Sequence, residues 1–197
     1  RLRLSIATQG QREHGMAKRV CPWWVGYLLV CPIRRWLQDP EKTLSPYISE
    51  GMTVLDIGPG MGFFTIPAAR MVGKNGRVIA VDVQEKMLTA LAERAEKAGV
   101  GDRIVAKLCE PDSIGVSEPI DLCLAINVVH EVPDAGALFA QIKSILRPTG
   151  RLLLCEPFGH VSEKDFQDTL ALASAAGLKL IGEPKIRRSR SALLAPD

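Results

Sequence analysis

From Met52 onward, short apolar runs alternate with stretches whose apolar residues recur at helical spacing. Met52 to Ile57 reads as a first strand, with a helix from about Phe63 to Val72 after it. Lys74-Asn75-Gly76 turns into a second strand, Arg77 to Asp82. Glu85 to Ala98 sets Met87, Leu88, Leu91 and Ala95 on one helical face with charges opposite, and Gly99 ends it. Arg103 to Cys109 is a third strand. Ile120 to Ile126 is an apolar run of the kind expected for a central parallel strand covered on both faces. The next helix starts near Pro133 and Asp134, aligns Leu138, Phe139, Ile142, Ile145 and Leu146, and stops at Pro148-Thr149-Gly150. Arg151 to Glu156 is a fifth strand and Ser162 to Ala176 the last helix, closed by Gly177. Leu178 to Ile181 and Ile186 to Leu194 form a terminal hairpin around Gly182 to Pro184. This alternation predicts an α/β, doubly wound, mostly parallel seven-stranded sheet with a C-terminal antiparallel hairpin. Ligands of such sheets bind beyond the carboxyl ends of the strands, so the chemistry is expected in the loops after strands one to five.

At 197 residues the chain suits one such domain. A hydrophobic fraction of 47% and a charged fraction of 24% are ordinary for a globular protein, and a net charge of +3 argues against a dedicated nucleic-acid binder. The cysteines (Cys21, Cys31, Cys109, Cys123, Cys155) are odd in number and scattered, as buried hydrophobes in a reducing compartment would be. Residues 1–15 are polar and aperiodic and are set aside as a leader, with Met16 as a natural start. Residues 16–50 are expected to form an N-terminal helical cover and 51–197 the ligand-binding domain. The apolar stretch Val20 to Ile33 follows Lys18 and Arg19 as a signal peptide would. It falls short of the roughly 20 residues a bilayer span takes. Pro22 and Pro32 interrupt it, and Arg34 and Arg35 follow it. A buried or pocket-covering helix is the reading, with no stable membrane insertion and a cytoplasmic location. Trp23, Trp24 and Tyr27 in that segment either close over a ligand or pack the cover onto the domain. No metal site is expected, since His14, Cys21 and Cys31 lack paired C-x-x-C spacing.

Chemistry concentrates in VLDIGPGMGFFT, Val54 to Thr65. An apolar strand runs into Asp56, then into Gly58, Gly60 and Gly62, then into a helical pattern. Such a turn lets a backbone approach a ligand that any Cβ would exclude, and it delivers that ligand to a helix N-terminus. The dinucleotide fingerprint needs Gly or Ala at position 63, where Phe63 stands. Asp56 would repel a phosphate and hold a cation, so the ligand expected is a nucleoside carrying positive charge. Asp82 ends strand two, where it either accepts hydrogen bonds from both ribose hydroxyls or caps the helix starting at Glu85. With the glycine turn upstream, ribose binding is the reading.

VLDIGPGMG, the acidic strand end VIAVD (Val78 to Asp82), INVVHEVPD (Ile126 to Asp134) and RPTGRLLLCEP (Arg147 to Pro157) together resemble the class I S-adenosylmethionine-dependent methyltransferases. The similarity runs from Gly51 to the C-terminus and is nearest the small-molecule branch that includes quinone-biosynthesis methyltransferases. It implies that Asp56 and the turn Gly58-Pro59-Gly60-Met61-Gly62 hold the methionine moiety of S-adenosylmethionine, and that Asp82, with Val83 beside it, grips the ribose. Glu110 matches the acidic position near the adenine amino group, although Cys109-Glu110-Pro111 departs from the family's Gly-Asp-Ala there; a solvated loop acid is the alternative. Asn127 and His130 follow strand four, facing the sulfonium. His130 is the expected general base for a hydroxyl acceptor or else a packing residue, with Glu131 as second candidate. The strand-four end lacks the [DNS]-P-P-[YF] signature of enzymes that methylate DNA bases or glutamine. His160 either lines the acceptor side or is structural. The run Arg187-Arg188-Ser189-Arg190 is expected on a solvated edge strand guarded by charge, with RNA contact the alternative. The function implied is methyl transfer to a small-molecule acceptor. Rival readings are a non-catalytic cofactor-binding protein of the same fold and an NAD(P)-dependent oxidoreductase. The atom methylated and the oligomeric state are left open.

Overall fold

The computed structural model describes residues 38–197. Cys21, Cys31, His14, Trp23, Trp24 and Tyr27, with most of the expected cover and the leader, lie outside the described residues. Helix α1 (Pro40–Leu44) begins on Asp39, whose side chain accepts from the Lys42 N–H, with proline at the first helical position. Strand β1 (Thr53–Ile57), α2 (Thr65–Met71), β2 (Arg77–Asp82), α3 (Glu85–Lys97), β3 (Ile104–Leu108) and β4 (Ile120–Ile126) follow. Then come α4 (Ala135–Ile145), β5 (Leu146–Pro157), α5 (Glu163–Ala175), β6 (Leu178–Gly182) and β7 (Ser189–Pro196). Helix α4 is capped by Asp134, and α5 by a reciprocal box in which Ser162 and Asp165 bond each other's backbone N–H.

The seven strands form one sheet in the order β3-β2-β1-β4-β5-β7-β6. The first five are parallel, and β7 runs antiparallel to both β5 and β6. The expected fold class is therefore the observed one. Period-two alternation along β4 sends Leu122, Leu124 and Ile126 to a layer with α1, α2 and α3, and Cys123 and Ala125 to a layer with α4 and α5. Both faces are dry, which is why an apolar run with little alternation is stable there. Leu44 and Ile48 pack with Phe64 and Ile66, so residues just ahead of β1 belong to this core.

Helix α2 starts at Thr65, two residues later than the apolar pattern suggests, because Gly62 still holds a left-handed φ of 85°. Strand β5 starts at Leu146 rather than Arg151, with a register shift between its pairings at Ile120 and Leu122. The basic run is corrected outright. Arg187 and Arg188 precede β7, and β7 lies inside the sheet between β5 and β6, leaving β6 as the edge. Arg190 is not solvated by a free edge: its Nε donates to Glu163 at 3.1 Å and its guanidinium sits 4.7 Å above the Phe158 ring. A period-two pattern reports which residues share a face, and is silent on whether a closing strand caps the sheet or inserts into it.

Candidate functional site

β1 leads into the glycine turn, where Gly58, Gly60 and Gly62 take φ values of 64°, 53° and 85°. Residues with a Cβ pay about 1–2 kcal/mol in that region, so the alternating glycines are a conformational requirement. Their surroundings differ. A Cβ on Gly58 would lie 2.6 Å from Val128 Cγ2, and one on Gly62 would lie 2.3 Å from Leu91 Cδ1. Those two glycines let the turn pack against the loop after β4 and against α3. A Cβ on Gly60 would meet nothing within 4 Å. Among the described residues Gly60 therefore borders open space. Pro59 is buried, its carbonyl accepting from the Gly62 N–H at 3.0 Å, while the Gly58 N–H donates to Val81 O at 2.9 Å.

Two carboxyls are buried around this turn. Asp56 Oδ2 accepts from Thr65 Oγ1 at 2.6 Å, which ties the end of β1 to the start of α2 beneath the glycines. Burial pushes the Asp56 carboxyl up to about 7; the Thr65 bond opposes this and the nearby Asp82 charge adds to it. Asp82 accepts from the Gln84 N–H at 2.9 Å, and the backbone N–H groups of Gly60 and Val83 lie near enough to favour its charged form. Burial still pushes it up to about 6, with the Glu131 charge raising it further. The carboxylate at the end of β2 thus reaches the open glycine of the neighbouring turn. Val83 is 38% exposed beside it. Glu110 is exposed and exchanges backbone hydrogen bonds with Ser113 in a tight turn past β3. Cys109 precedes it, its thiol pushed up to about 12 by burial and by the charges of Asp82 and Glu110, as expected of an inert cysteine.

The loop after β4 forms the other wall. Asn127 has a φ of 58° and donates its N–H to Cys155 O at 2.7 Å. Its Oδ1 is buried with no hydrogen-bond partner among the described residues, and such an acceptor calls for an explanation. His130 stands in the 3-10 turn Val129–Glu131. Its backbone N–H donates to Glu156 Oε1 at 3.2 Å, and its Nδ1 bonds Glu156 Oε2. Glu131 Oε1 lies 3.8 Å from His130 Nε2, and the His160 ring meets the His130 ring edge-on with centroids 5.8 Å apart. Two contributors were missed by sequence reasoning, Glu156 and Thr65. An acid closing the apolar strand LLLCEP was the available signal for Glu156; nothing marked Thr65 beyond its place after the turn.

The geometry brings Asp56, Gly58, Pro59, Gly60, Gly62, Asp82 and Val83 together at the ends of β1 and β2. Asn127 and His130 come together beyond β4, and Glu110 stays on the exposed turn after β3. Among the described residues no group of histidines, cysteines and acids could hold a metal ion, and no helix is long and apolar enough to cross a membrane.

Known proteins place this arrangement. A family model described as a methyltransferase domain matches residues 48–182. Over 107 residues the chain is 34% identical to nocamycin O-methyltransferase of Saccharothrix syringae, covering 54% of this chain and 38% of that protein. Over 110 residues it is 31% identical to a ubiquinone biosynthesis O-methyltransferase of Paramagnetospirillum magneticum, covering 56% and 41%. The matched region thus spans about two-fifths of the length of these curated relatives. A crystal structure of an S-adenosylmethionine-dependent methyltransferase from Aquifex aeolicus superposes with a TM-score of 0.80 at 25% identity, covering 89% of this chain and 98% of that one. With its sheet order, glycine turn and acidic strand ends, the chain belongs to the methyltransferase-domain family and carries the Rossmann-like fold of S-adenosylmethionine-dependent methyltransferases.

Proposed function

We propose that the chain transfers a methyl group from S-adenosylmethionine to a small-molecule acceptor, and that His130 takes the acceptor's proton when that acceptor is a hydroxyl. One observation carries the cofactor reading: the buried Asp82 carboxylate at the end of β2 stands beside a turn in which a Cβ on Gly60, alone of the three glycines, would meet nothing within 4 Å among the described residues. The residues present fit the cofactor. Asp82 retains acceptor capacity for ribose hydroxyls, each charge-assisted bond contributing roughly 1.5–3 kcal/mol. Gly60 lets the ligand lie against backbone, with Gly58, Pro59 and Gly62 fixing the turn around it. Asp56 below the turn favours positive charge at the methionine end once it ionises. Val83 and Glu110 would stand on the adenine side, and Asn127 Oδ1 would offer an acceptor that has no donor among the described residues.

When bound, S-adenosylmethionine supplies a methyl group on an already activated sulfonium. What remains for the chain is alignment, exclusion of water and, for a hydroxyl acceptor, removal of one proton. His130 stands beyond β4, next to Asn127, for that last task. The two relatives described above are named for O-methylation, which supports a hydroxyl acceptor, while a ubiquinone/menaquinone biosynthesis C-methyltransferase matches at 29% identity and makes carbon the alternative. The modest net charge and the engagement of Arg190 with Glu163 and the Phe158 ring lend nucleic acid no support as a substrate.

Calorimetric titration with S-adenosylmethionine and with NADH tests the cofactor. Saturable binding of the first alone is expected, and selective NADH binding would overturn the reading. Methyl release against pooled metabolites and quinone precursors tests the activity. Cofactor binding without turnover on any pool would make this a binding protein.

A further inference from the structure

We propose that Glu156 is a positioning residue that holds His130 in the tautomer carrying its proton on Nδ1, so that Nε2 is the ring atom that exchanges a proton with the acceptor. This rests on the reading of His130 as the base. Glu156 closes β5 with 1% of its surface exposed. A carboxylate so placed is costly unless its partners are good ones. The obvious cation is Arg190, directly opposite Glu156 in the β5–β7 register. Yet Arg190 turns its Nε to Glu163 at 3.1 Å and lies over Phe158. Both Glu156 oxygens go to His130 instead, Oε1 to the backbone N–H at 3.2 Å and Oε2 to Nδ1. A brace for the 3-10 turn would need only the first bond. The second fixes the ring.

A carboxylate that accepts at both oxygens requires a proton on Nδ1, and the other ring nitrogen then carries the lone pair. The proton balance is complete within the site. The acceptor's O–H proton passes to Nε2, Nδ1 keeps its own, and the negative charge of Glu156 offsets the imidazolium that results. The new O–C bond forms as the C–S bond of the sulfonium breaks. Other charged or titratable groups near the ring, among the described residues, include Glu131, with Oε1 3.8 Å from Nε2, and His160, edge-on at 5.8 Å. Glu131 also favours the imidazolium and, from 3.8 Å, pulls the ring proton toward Nε2; the direct Glu156 bond to Nδ1 opposes that pull and is the closer of the two.

The test is nitrogen-15 NMR of histidine-labelled full chain. Its three histidines are assigned with His14→Gln and His160→Gln. Above its titration midpoint, native His130 is expected to show a protonated Nδ1 and a pyridine-like Nε2. In Glu156→Gln the midpoint is expected to fall by about one pH unit and the neutral ring to populate both tautomers. Glu156→Asp, which keeps the charge, is expected to bring the midpoint back toward native. S-Adenosylmethionine affinity should stay within about twofold throughout, since among the described residues both Glu156 oxygens bond His130. A native His130 protonated on Nε2 overturns the proposal without any variant, and so does an unchanged midpoint in Glu156→Gln. Failure of the native chain to bind the cofactor would refute the proposed function while leaving the tautomer result to be read on its own.

Discussion

The two halves of the site handle buried charge in opposite ways. Around β1 and β2, Asp56 is held by the Thr65 hydroxyl and Asp82 by the Gln84 N–H, and both remain pushed up by burial. Beyond β4 and β5, the equally buried Glu156 is matched with a titratable side chain, His130. On the proposed function, the first half is a receptor whose acids await a cation and sugar hydroxyls. The second is answered from within the chain and only has to keep one ring oriented. Ligand binding should therefore change the energetics of the first half far more than those of the second.

The sharpest way to break that contrast is Gly60→Val. A β-branched residue at φ 53° is strained, and its side chain would occupy the open space. Calorimetry should find no cofactor binding, whereas near-native affinity would place the cofactor elsewhere. His130→Ala should leave that affinity intact and lower turnover by ~10²–10⁴-fold on a hydroxyl acceptor, read from the pH dependence of kcat. Unchanged turnover across pH would remove His130 from the chemistry. Asp82→Ala should weaken cofactor binding by about tenfold or more, one to two charge-assisted bonds.

The smallest effect expected is on thermal stability. Both acids stand above their ordinary 3.8 in the folded chain, at about 7 and about 6. Their favourable share is full below about pH 4 and is lost as pH rises through those values, because each must ionise while buried. The Tm of the ligand-free chain should fall between about pH 4 and 7 on their account, and Asp56→Asn should flatten the slope. A slope unchanged in that variant would show that Asp56 ionises without cost.

The same division explains what could be read from the residues alone. Asp56, Gly58, Gly60 and Gly62 sit within a few positions of one another, and Asp82 ends the next strand, so local conformation and strand alternation suffice to assemble them. Glu156 reaches His130 across 26 residues through the pairing of β4 with β5. Which strand ends adjoin is a property of the sheet order, and no local pattern encodes it. The position of β7 was hidden for the same reason, as was the retreat of Arg190 from solvent. Asn127 was placed correctly beyond β4, but the orphaned Oδ1 that makes it interesting exists only once the loop is packed.

The insertion of β7 between β5 and β6 also orders assembly. β6 has no place in the sheet until the later strand has filled the gap, so the last pairings must form together. Until then β5 carries a bare, apolar rim (Leu152, Leu153, Leu154) of the sort that recruits strands from other chains. Cleavage between Gly182 and Ser189 should thus do more harm than a nick in an ordinary surface loop, releasing a fragment prone to self-association, which light scattering after limited proteolysis would register.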